Sequence, residues 1–282
     1  MCQARCCIVV PDRDHGWPMA GKGRTRLKPV KLEEAAATTA GRRNRVNLFE
    51  LAYERIEDLI IRCELEPGRF LSIQDLQKIT GMSRTPVHQA VSRLADDTLI
   101  RVQPRHGIQI APIDLARERI LLRLRGDVER FVIGLAAERS GPLHRNQLLH
   151  MERLLRERRE SMTIDEFNIF DRRIDRLILA AASEPFLEHT VRPLHTIFRR
   201  LGWIHYTHVQ GTASLRTTID CHAAVVNAVA NRHIEAAVAG SDDLIRFVDS
   251  MFDVMEREVD PTLLDCSLEP VVPRLTEPRG RS

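Results

Sequence analysis

Between residues 83 and 93 the chain carries polar side chains whose types and spacing could make hydrogen bonds to DNA. On a helix over this segment, the outward positions are predicted to be Ser83, Arg84, Thr85, His88, Gln89 and Arg93. Arginine and glutamine near a helix N-terminus are side chains that contact base edges and phosphates in the major groove. Residues 76–95 contain no Asp or Glu, which suits a surface that approaches phosphates, although an ordinary solvated helical hairpin would also explain this charge pattern.

The residues around this segment predict the turn and the second helix of a helix-turn-helix. Ile73, Leu76 and Ile79 form one apolar stripe, which predicts a short preceding helix. Gly81 permits a tight turn, and the Ser83 hydroxyl is expected to act as the N-cap by accepting a hydrogen bond from a backbone N–H. The buried face of the second helix is predicted to consist of Val87, Ala90, Val91 and Leu94.

A β-hairpin is predicted directly after this helix. Two β-branched runs flank Pro104-Arg105-His106-Gly107, which places Arg105 and His106 at the hairpin tip, near the sugar-phosphate backbone or the minor groove of bound DNA. Upstream, residues 48–62 carry a helical apolar stripe that would cover the other two helices. This order of three helices and a hairpin is that of a winged helix-turn-helix, predicted over residues 46–112.

Several of these motifs resemble the DNA-binding domain of GntR-type bacterial repressors. The most specific is Ser83-Arg84-Thr85-Pro86-Val87, supported by Leu65-Glu66-Pro67-Gly68 and Arg105-His106-Gly107. The resemblance implies that the operator is contacted by Ser83, Arg84, Thr85, His88, His106 and Gly107. The family usually has Arg at the position of His88, and a neutral His neutralises no phosphate.

Length and composition bound the class of protein. The 282 residues allow two domains, since a winged helix takes only about 70 residues. The net charge of +3 is too small for a general polyanion binder, and no run approaches the roughly 20 apolar residues that cross a bilayer, so we expect a soluble protein of the bacterial cytoplasm. The six Cys residues form no disulfide framework and predict reduced thiols; Cys2, Cys6, Cys7 and His15 lack the paired spacing of a zinc site.

Both ends of the chain lack helical or strand periodicity. Residues 1–45 are predicted to be a disordered basic arm, in which Met19 is an alternative start of translation. Residues 260–282 are predicted to be a disordered tail, because prolines recur there without a periodic apolar pattern.

Residues 113–259 have helical periodicity throughout and predict an all-α domain. Asp114 is an expected N-cap, and Thr163 with Glu166 forms an expected capping box. Helices are predicted over about 114–140, 143–160, 163–182, 184–208, 215–231 and 234–258, with Pro193 as a kink in the fourth. The predicted fold class is therefore mostly α, with a winged helix-turn-helix followed by a bundle of six or more helices.

The helical part resembles the FCD effector domain of the FadR-like branch of the same family. The resemblance rests on Leu124-Arg125…Glu129…Leu135-Ala136-Ala137-Glu138-Arg139 and on His222…Ala228-Val229…Glu235-Ala236-Ala237, and with the winged helix it covers about residues 47–258. It implies a small-molecule site, with Arg125, Glu129 and His222 as candidate effector-binding residues. The spacing of three other histidines, His195, His205 and His208, does not place them on one helix face. They are predicted to be ordinary helix residues.

Many FCD domains bind a divalent metal through an Asp, a His four residues later and two further His. The resemblance places at the first three positions Asp171, Asp175 and His222, and at the fourth Leu244 or, with a one-residue shift, Asp243. Because carboxylates four apart share a helix face and give an oxygen-rich site, Mn²⁺ or Mg²⁺ would be favoured over Zn²⁺. The alternative is that residues 171–176 form a salt-bridged surface turn and bind no metal. In that case Arg125, or Arg199, is the candidate for binding an acidic effector.

These features predict a transcription regulator, not an enzyme. We expect a homodimeric repressor that binds an imperfect palindromic operator and responds to a small carboxylate effector. Two alternatives remain open at this point. One is an architectural DNA-binding dimer without an effector. The other is an all-α metalloenzyme using Asp171, Asp175 and His222, with Glu129 as a base.

Overall fold

The computed structural model describes residues 47–209 and 214–264, which belong to one compact unit. The predicted basic arm, the three N-terminal Cys and residues 265–282 of the predicted tail lie outside the described residues. The fold is mostly α, as the sequence predicts, with a small sheet in its N-terminal part. The helices of the described ranges include none that is long and apolar enough to cross a membrane.

The N-terminal part is a winged helix-turn-helix. Its helices are α1 (Leu48–Ile61), α2 (Ile73–Thr80) and α3 (Arg84–Asp96), and its strands are β1 (Phe70–Leu71), β2 (Ile100–Gln103) and β3 (Gly107–Ile110). The antiparallel sheet has the order β1-β3-β2, so the predicted hairpin gains a third strand at its edge. Strand β1 was not predicted because two residues show no period, and its partner lies almost forty residues later in the sequence.

A close approach of two backbones sets the shape of the wing. Gly107 has a φ of +98°, and a Cβ there would lie 2.7 Å from the carbonyl oxygen of Leu71 in β1. Only glycine fits this approach without moving the edge strand. Arg105 also has a positive φ, of 68°, which turns the chain at the wing tip.

The apolar stripe of α1 packs against α3 and, less extensively, against α2, as predicted. Tyr53, Ile56 and Ile60 are fully buried and share a core with Val87 and Leu94 of α3. The helix-turn-helix is closed by Gly81, which takes the left-handed conformation at the end of α2. The buried face of α3 is therefore fixed by packing, and its opposite face is left for a partner.

The C-terminal part is an all-α bundle with the six predicted helices. They are α4 (Leu115–Arg139), α5 (Pro142–Glu157), α6 (Ile164–Ala182), α7 (Pro185–His208), α8 (Arg216–Ala230) and α9 (Ile234–Glu258). Asp114 caps α4, and Thr163 and Glu166 form the expected capping box of α6. Helix α4 packs along α9 and α6, and α5 packs along α8.

One correction concerns the start of the predicted tail. Residues 261–264 form a short helix, α10 (Pro261–Leu264), where the sequence predicts disorder from residue 260. Leu264 is 8% exposed and packs in the same apolar cluster as Phe252 and Met255 of α9. Four residues are too few to show a helical period, and burial of a single leucine against α9 accounts for the ordered turn.

Candidate functional site

The N-terminus of α3 presents a row of exposed polar side chains. Arg84, Thr85, His88 and Gln89 are all exposed, as their predicted outward positions require. Ser83 occupies the N-cap position, but its side chain makes no capping hydrogen bond, so the expected cap bond is wrong. Its exposed hydroxyl instead lies beside Arg84 at the positive end of the helix dipole, where helices bind phosphates.

The wing carries the second group of predicted DNA-binding residues. Arg105 and His106 are exposed in the turn between β2 and β3, and Gly107 begins β3. The helix N-terminus and the wing tip are the two parts of this fold that contact DNA in winged helices. Proposed contacts to DNA therefore come from these two surfaces.

Arg93 faces the effector domain, which differs from its predicted outward position. Its Nε donates to both carboxylate oxygens of Asp97 at 3.3 Å, and one Nη lies 3.0 Å from Nδ1 of His189 in α7. The hydroxyl of Tyr53 donates to the buried Asp97 at 2.7 Å and holds that carboxylate in place. Helical periodicity placed Arg93 off the buried face, but the sequence could not show that α7 covers this end of α3.

Polar contacts join α1 to α6 and α7. Glu57 is only 2% exposed, and its carboxylate accepts a hydrogen bond from the Thr196 hydroxyl at 2.6 Å and lies 3.4 Å from an Nη of Arg172. The guanidinium of Arg192 stacks over the ring of Tyr53, 4.2 Å from the centroid. The sequence did not predict these contacts between α1 and the bundle. The one sign of them was a glutamate on the apolar face of α1, since a buried glutamate needs a polar partner.

Two of the three arginines of residues 171–176 also pair with α1. Arg172 forms an ion pair with Asp58, and Arg176 forms one with Glu54. These arginines therefore do not form the predicted local surface turn with Asp171 and Asp175. The two aspartates point the other way, into the bundle.

Asp171 and Asp175 face a single guanidinium from α7. Nε of Arg199 donates to Oδ2 of Asp171 at 2.7 Å, and an Nη donates to Oδ2 of Asp175. The Arg199 side chain is only 5% exposed, so this is a buried ion-pair cluster. Such a cluster is stable only when every charge has a partner.

Two histidines complete the cluster. Nε2 of His222 lies 3.1 Å from Oδ1 of Asp171, and its Nδ1 lies 2.7 Å from the carbonyl oxygen of Thr218. His195, which the sequence predicted to be an ordinary helix residue, has Nδ1 2.9 Å from Asp175 and Nε2 2.9 Å from Glu129. Carboxylate oxygens accept hydrogen bonds, so His195 donates from both ring nitrogens and is an imidazolium.

The electrostatics agree with these contacts. Burial alone would lower the pKa of His195, but the charge and hydrogen bond of Asp175, together with Glu129, raise it to about 9. Burial would raise the pKa of Asp171, but the positive charge of Arg199 and the hydrogen bond with His222 hold it well below its usual range. The site therefore keeps Asp171 ionised and His195 protonated at neutral pH.

The predicted metal ligands do not come together as a metal site. Asp243 is exposed on α9 and pairs with Arg246, so it is separated from the cluster. Asp171 and Asp175 already share the guanidinium of Arg199, and the described ranges contain no group of three or more His, Cys, Asp or Glu side chains placed to hold an ion. The donor set therefore does not fit a divalent cation while Arg199 stays in place.

A small cavity of about 50 Å³ opens beside this cluster. Its polar wall consists of Arg125, Asp171, His195, Arg199, Thr218 and His222. Its apolar wall includes Phe167, Phe198, Leu244, Phe247, Val248 and Met251. Nε of Arg125 donates to Glu129 at 2.8 Å, and the guanidinium stacks on Phe198 at 5.2 Å. Cavities with a few polar groups on an apolar wall are typical of small-molecule sites.

A larger cleft of about 310 Å³ lies between α1 and helices α6 and α7. It is lined by Glu57, Arg172, Asp175 and Arg192, among others, and it shares two residues with the smaller cavity, His195 and Arg199. These two side chains therefore form the wall between the cavity in the bundle and the contact with the winged helix.

Comparison with known proteins assigns both parts of the chain. Residues 48–110 match the model of bacterial regulatory proteins of the gntR family, and residues 120–247 match the model of the FCD domain. The two matched segments fall within the predicted winged-helix and effector domains.

The curated relatives are named as HTH-type transcriptional regulators. The chain is 28% identical to the HTH-type transcriptional repressor RspR of Escherichia coli K12, over 53% of this chain and 66% of that protein. It is 30% identical to an uncharacterised HTH-type transcriptional regulator of Agrobacterium vitis, over 46% of this chain and 72% of that protein. The match covers only 53% of a third such regulator, from Streptomyces ambofaciens.

The fold also resembles solved structures. One, described as E. coli McbR/YncC, superposes with a TM-score of 0.65 at 19% identity, over 76% of this chain and all of that one. The curated relatives are named as transcriptional regulators, which argues against the metalloenzyme interpretation. The chain belongs to the GntR family of bacterial transcriptional regulators and carries an FCD domain after its helix-turn-helix.

Proposed function

We propose that the protein is a homodimeric repressor whose affinity for a palindromic operator is controlled by a small carboxylate bound in the FCD domain. The exposed residues of α3 and the wing support the DNA-binding part. The name of the E. coli relative, a transcriptional repressor, supports the direction of regulation. The architectural alternative has no such support, because a cavity with charged walls lies in the bundle.

The main support for a carboxylate effector is the position of Arg125. Its side chain lines the cavity, and the hydrogen bond that the described residues give it uses only Nε, toward Glu129. The two Nη groups are left to donate in parallel to a carboxylate, the geometry that arginine favours. The small volume and the apolar opposite wall fit a short acid with a compact apolar part. His222 lines the same wall, but both of its ring nitrogens already face acceptors, the carbonyl oxygen of Thr218 and Asp171.

Thermal shift with a series of short aliphatic carboxylates tests this effector class. We expect at least one acid to raise the melting temperature of the wild type, with the matching amide inactive, because binding to the folded state alone stabilises it. Arg125→Lys should need at least ten times more ligand for the same rise in melting temperature, since lysine lacks the two parallel donors. Arg123→Lys, an exposed arginine on the same helix, is the control and should respond like the wild type. Equal responses to acids and amides would rule out a carboxylate effector.

The homodimer is supported by an apolar stripe on α4. Ile120, Leu124 and Phe131 are 65%, 51% and 58% exposed and lie on one face of the helix. Asp127 lies on the same stripe, and Arg123 and Arg130 flank it, so two antiparallel copies of α4 would place opposite charges together. A self-complementary face of this kind suits a two-fold axis.

A further inference from the structure

A single guanidinium bridges the two carboxylates at the inner face of α6. Nε of Arg199 is 2.7 Å from Oδ2 of Asp171, and an Nη of the same side chain bonds to Oδ2 of Asp175. The two carboxylates have side chains only 11% and 16% exposed, and two buried negative charges on one helix face need a positive partner. Arg199 is that partner.

His222 faces one of these carboxylates, that of Asp171. The carbonyl oxygen of Thr218 can only accept a hydrogen bond, so Nδ1 of His222, 2.7 Å away, carries a proton. Nε2 points at Oδ1 of Asp171, 3.1 Å away, and donates to it, so a metal ion bound here would take the place of that proton. A backbone carbonyl that holds one ring nitrogen while the other points inward is the arrangement of a metal-binding histidine.

We propose that Arg199 is a resident cation that takes the place of the divalent metal of FCD domains and masks a latent metal site formed by Asp171, Asp175 and His222. The guanidinium meets both carboxylates at once and supplies one of the two positive charges that a divalent ion would supply. His195 adds a second cation beside it, because both of its ring nitrogens face carboxylates. An incoming dication would meet two positive charges where it needs negative ones.

The wild-type protein is expected to need no metal ion at this site. The charge of Arg199 is part of α7 and cannot dissociate, so the effector domain keeps its cation in the presence of a chelator. Purified wild type should hold no stoichiometric transition metal by elemental analysis. Its melting temperature should be the same in EDTA and in excess Mn²⁺ or Zn²⁺. A bound metal near one per chain, or a clear stabilisation by either ion, would overturn the proposal.

Removing the guanidinium should expose the site. In Arg199→Ala, Asp171 and Asp175 lose their bridging cation and, with His222, give an oxygen-rich donor set that suits Mn²⁺. We expect Mn²⁺ at about 100 times its Kd to raise the melting temperature of this variant by about 5–10 °C. Adding His222→Ala to Arg199→Ala should reduce the affinity for Mn²⁺ at least tenfold.

The matched control is Arg173→Ala. Arg173 is exposed on α6, two residues from each aspartate, so its loss lowers the local positive charge without opening the space between the carboxylates. This variant should gain no response to Mn²⁺. An equal gain in both variants would mean a loose electrostatic effect and would contradict a built site.

A second variant covers the case in which Arg199→Ala does not fold in metal-free buffer. Folding of Arg199→Ala only in the presence of Mn²⁺ supports the proposal directly. If it stays unfolded with and without the ion, Asp175→Asn with Arg199→Met leaves one carboxylate to balance and keeps Asp171 and His222. That variant should show a smaller Mn²⁺ stabilisation, and a folded variant with none overturns the proposal. All these measurements are made without DNA or effector, so they are independent of the proposed function.

Discussion

At the scale of single residues, Arg84 and Arg93 show how two arginines of one helix acquire different partners. Arg84 is exposed at the N-terminus of α3, where a positive side chain can reach a base edge or a phosphate. Arg93, two and a half turns later, pairs with Asp97 and contacts His189 of the effector domain. Contact with DNA is therefore expected at the start of α3, and contact with the regulatory domain at its end.

Arg84→Ala should weaken operator binding by about 1–3 kcal/mol at fixed salt, because it removes a contact from the recognition helix. Arg105→Ala, at the wing, should weaken binding to all sequences alike and reduce the slope of log affinity against log salt by about one unit. Fluorescence anisotropy with an operator selected from a random DNA library measures both effects. Arg153→Ala, at an exposed arginine of α5, is the control, and an unchanged affinity for Arg84→Ala would refute the assignment of α3.

Glu118 gives a pH dependence that can be tested separately. It is 3% exposed near the start of α4; burial raises its pKa to about 7, although Arg200 and Arg117 oppose the shift. Between about pH 5 and 7 the native state keeps a proton that the unfolded chain has released, so the free energy of unfolding falls as the pH rises. Below this window the contribution is fully present, and above pH 7 it is lost.

Glu118→Gln should therefore flatten this pH dependence and stabilise the protein by about 2–3 kcal/mol near pH 8. Urea denaturation across the pH range measures it. Glu138→Gln, an exposed glutamate on the same helix, should leave the profile of the wild type unchanged. A Glu118→Gln variant that is less stable than the wild type at pH 8 would show that the carboxylate is ionised and paired.

At the scale of elements, α7 is the helix that both sites share. Its Arg192 and Thr196 contact α1 of the winged helix, while His195, Phe198 and Arg199 line the cavity. Side chains that face α1 and side chains that face the cavity therefore follow one another on the same two turns of α7. We expect a ligand that displaces Arg199 to shift this part of the helix and, with it, the hydrogen bond of Thr196 to α1. Helix α7 is thus the element best placed to carry the effector response.

Thr196→Val tests this role of α7. The substitution removes the hydrogen bond to the buried Glu57, which should destabilise the protein by about 1–3 kcal/mol. It should also reduce the effect of the carboxylate on operator affinity while leaving carboxylate binding intact. Thr207→Val, on the exposed side of the same helix, is the control. A full effector response in Thr196→Val would place the coupling elsewhere.

The elements were more predictable from the sequence than their contacts. Capping residues and apolar periods fix α4 and α6 to within a residue or two, because these signals are local. The bond between Glu57 and Thr196, and the burial of His195 between two carboxylates, join residues far apart in sequence. Spacing alone cannot show such pairs. A buried charge on an apolar helix face was the only sign of them.

At the scale of the whole molecule, one winged helix reads one half-site, so a palindromic operator requires two copies. The exposed apolar stripe on α4, in the bundle, is where we expect the two copies to pair. Leu124→Glu should disrupt the pairing of two copies, because it places like charges at the two-fold axis. Sedimentation should then show a monomer with weakened operator binding. The control is Ile169→Glu, at an exposed apolar residue of α6, and this variant should remain a dimer. A Leu124→Glu variant that stays dimeric would exclude the α4 stripe as the dimer face.

Effector control requires that a ligand in the bundle change the affinity of the winged helix for DNA. The direct measurement is operator affinity by anisotropy at fixed salt, with and without the carboxylate that most stabilises the wild type. We expect a change in Kd of about tenfold or more, which Arg125→Lys reduces and Arg123→Lys preserves. A carboxylate that stabilises the protein but leaves operator affinity unchanged would contradict effector control of DNA binding.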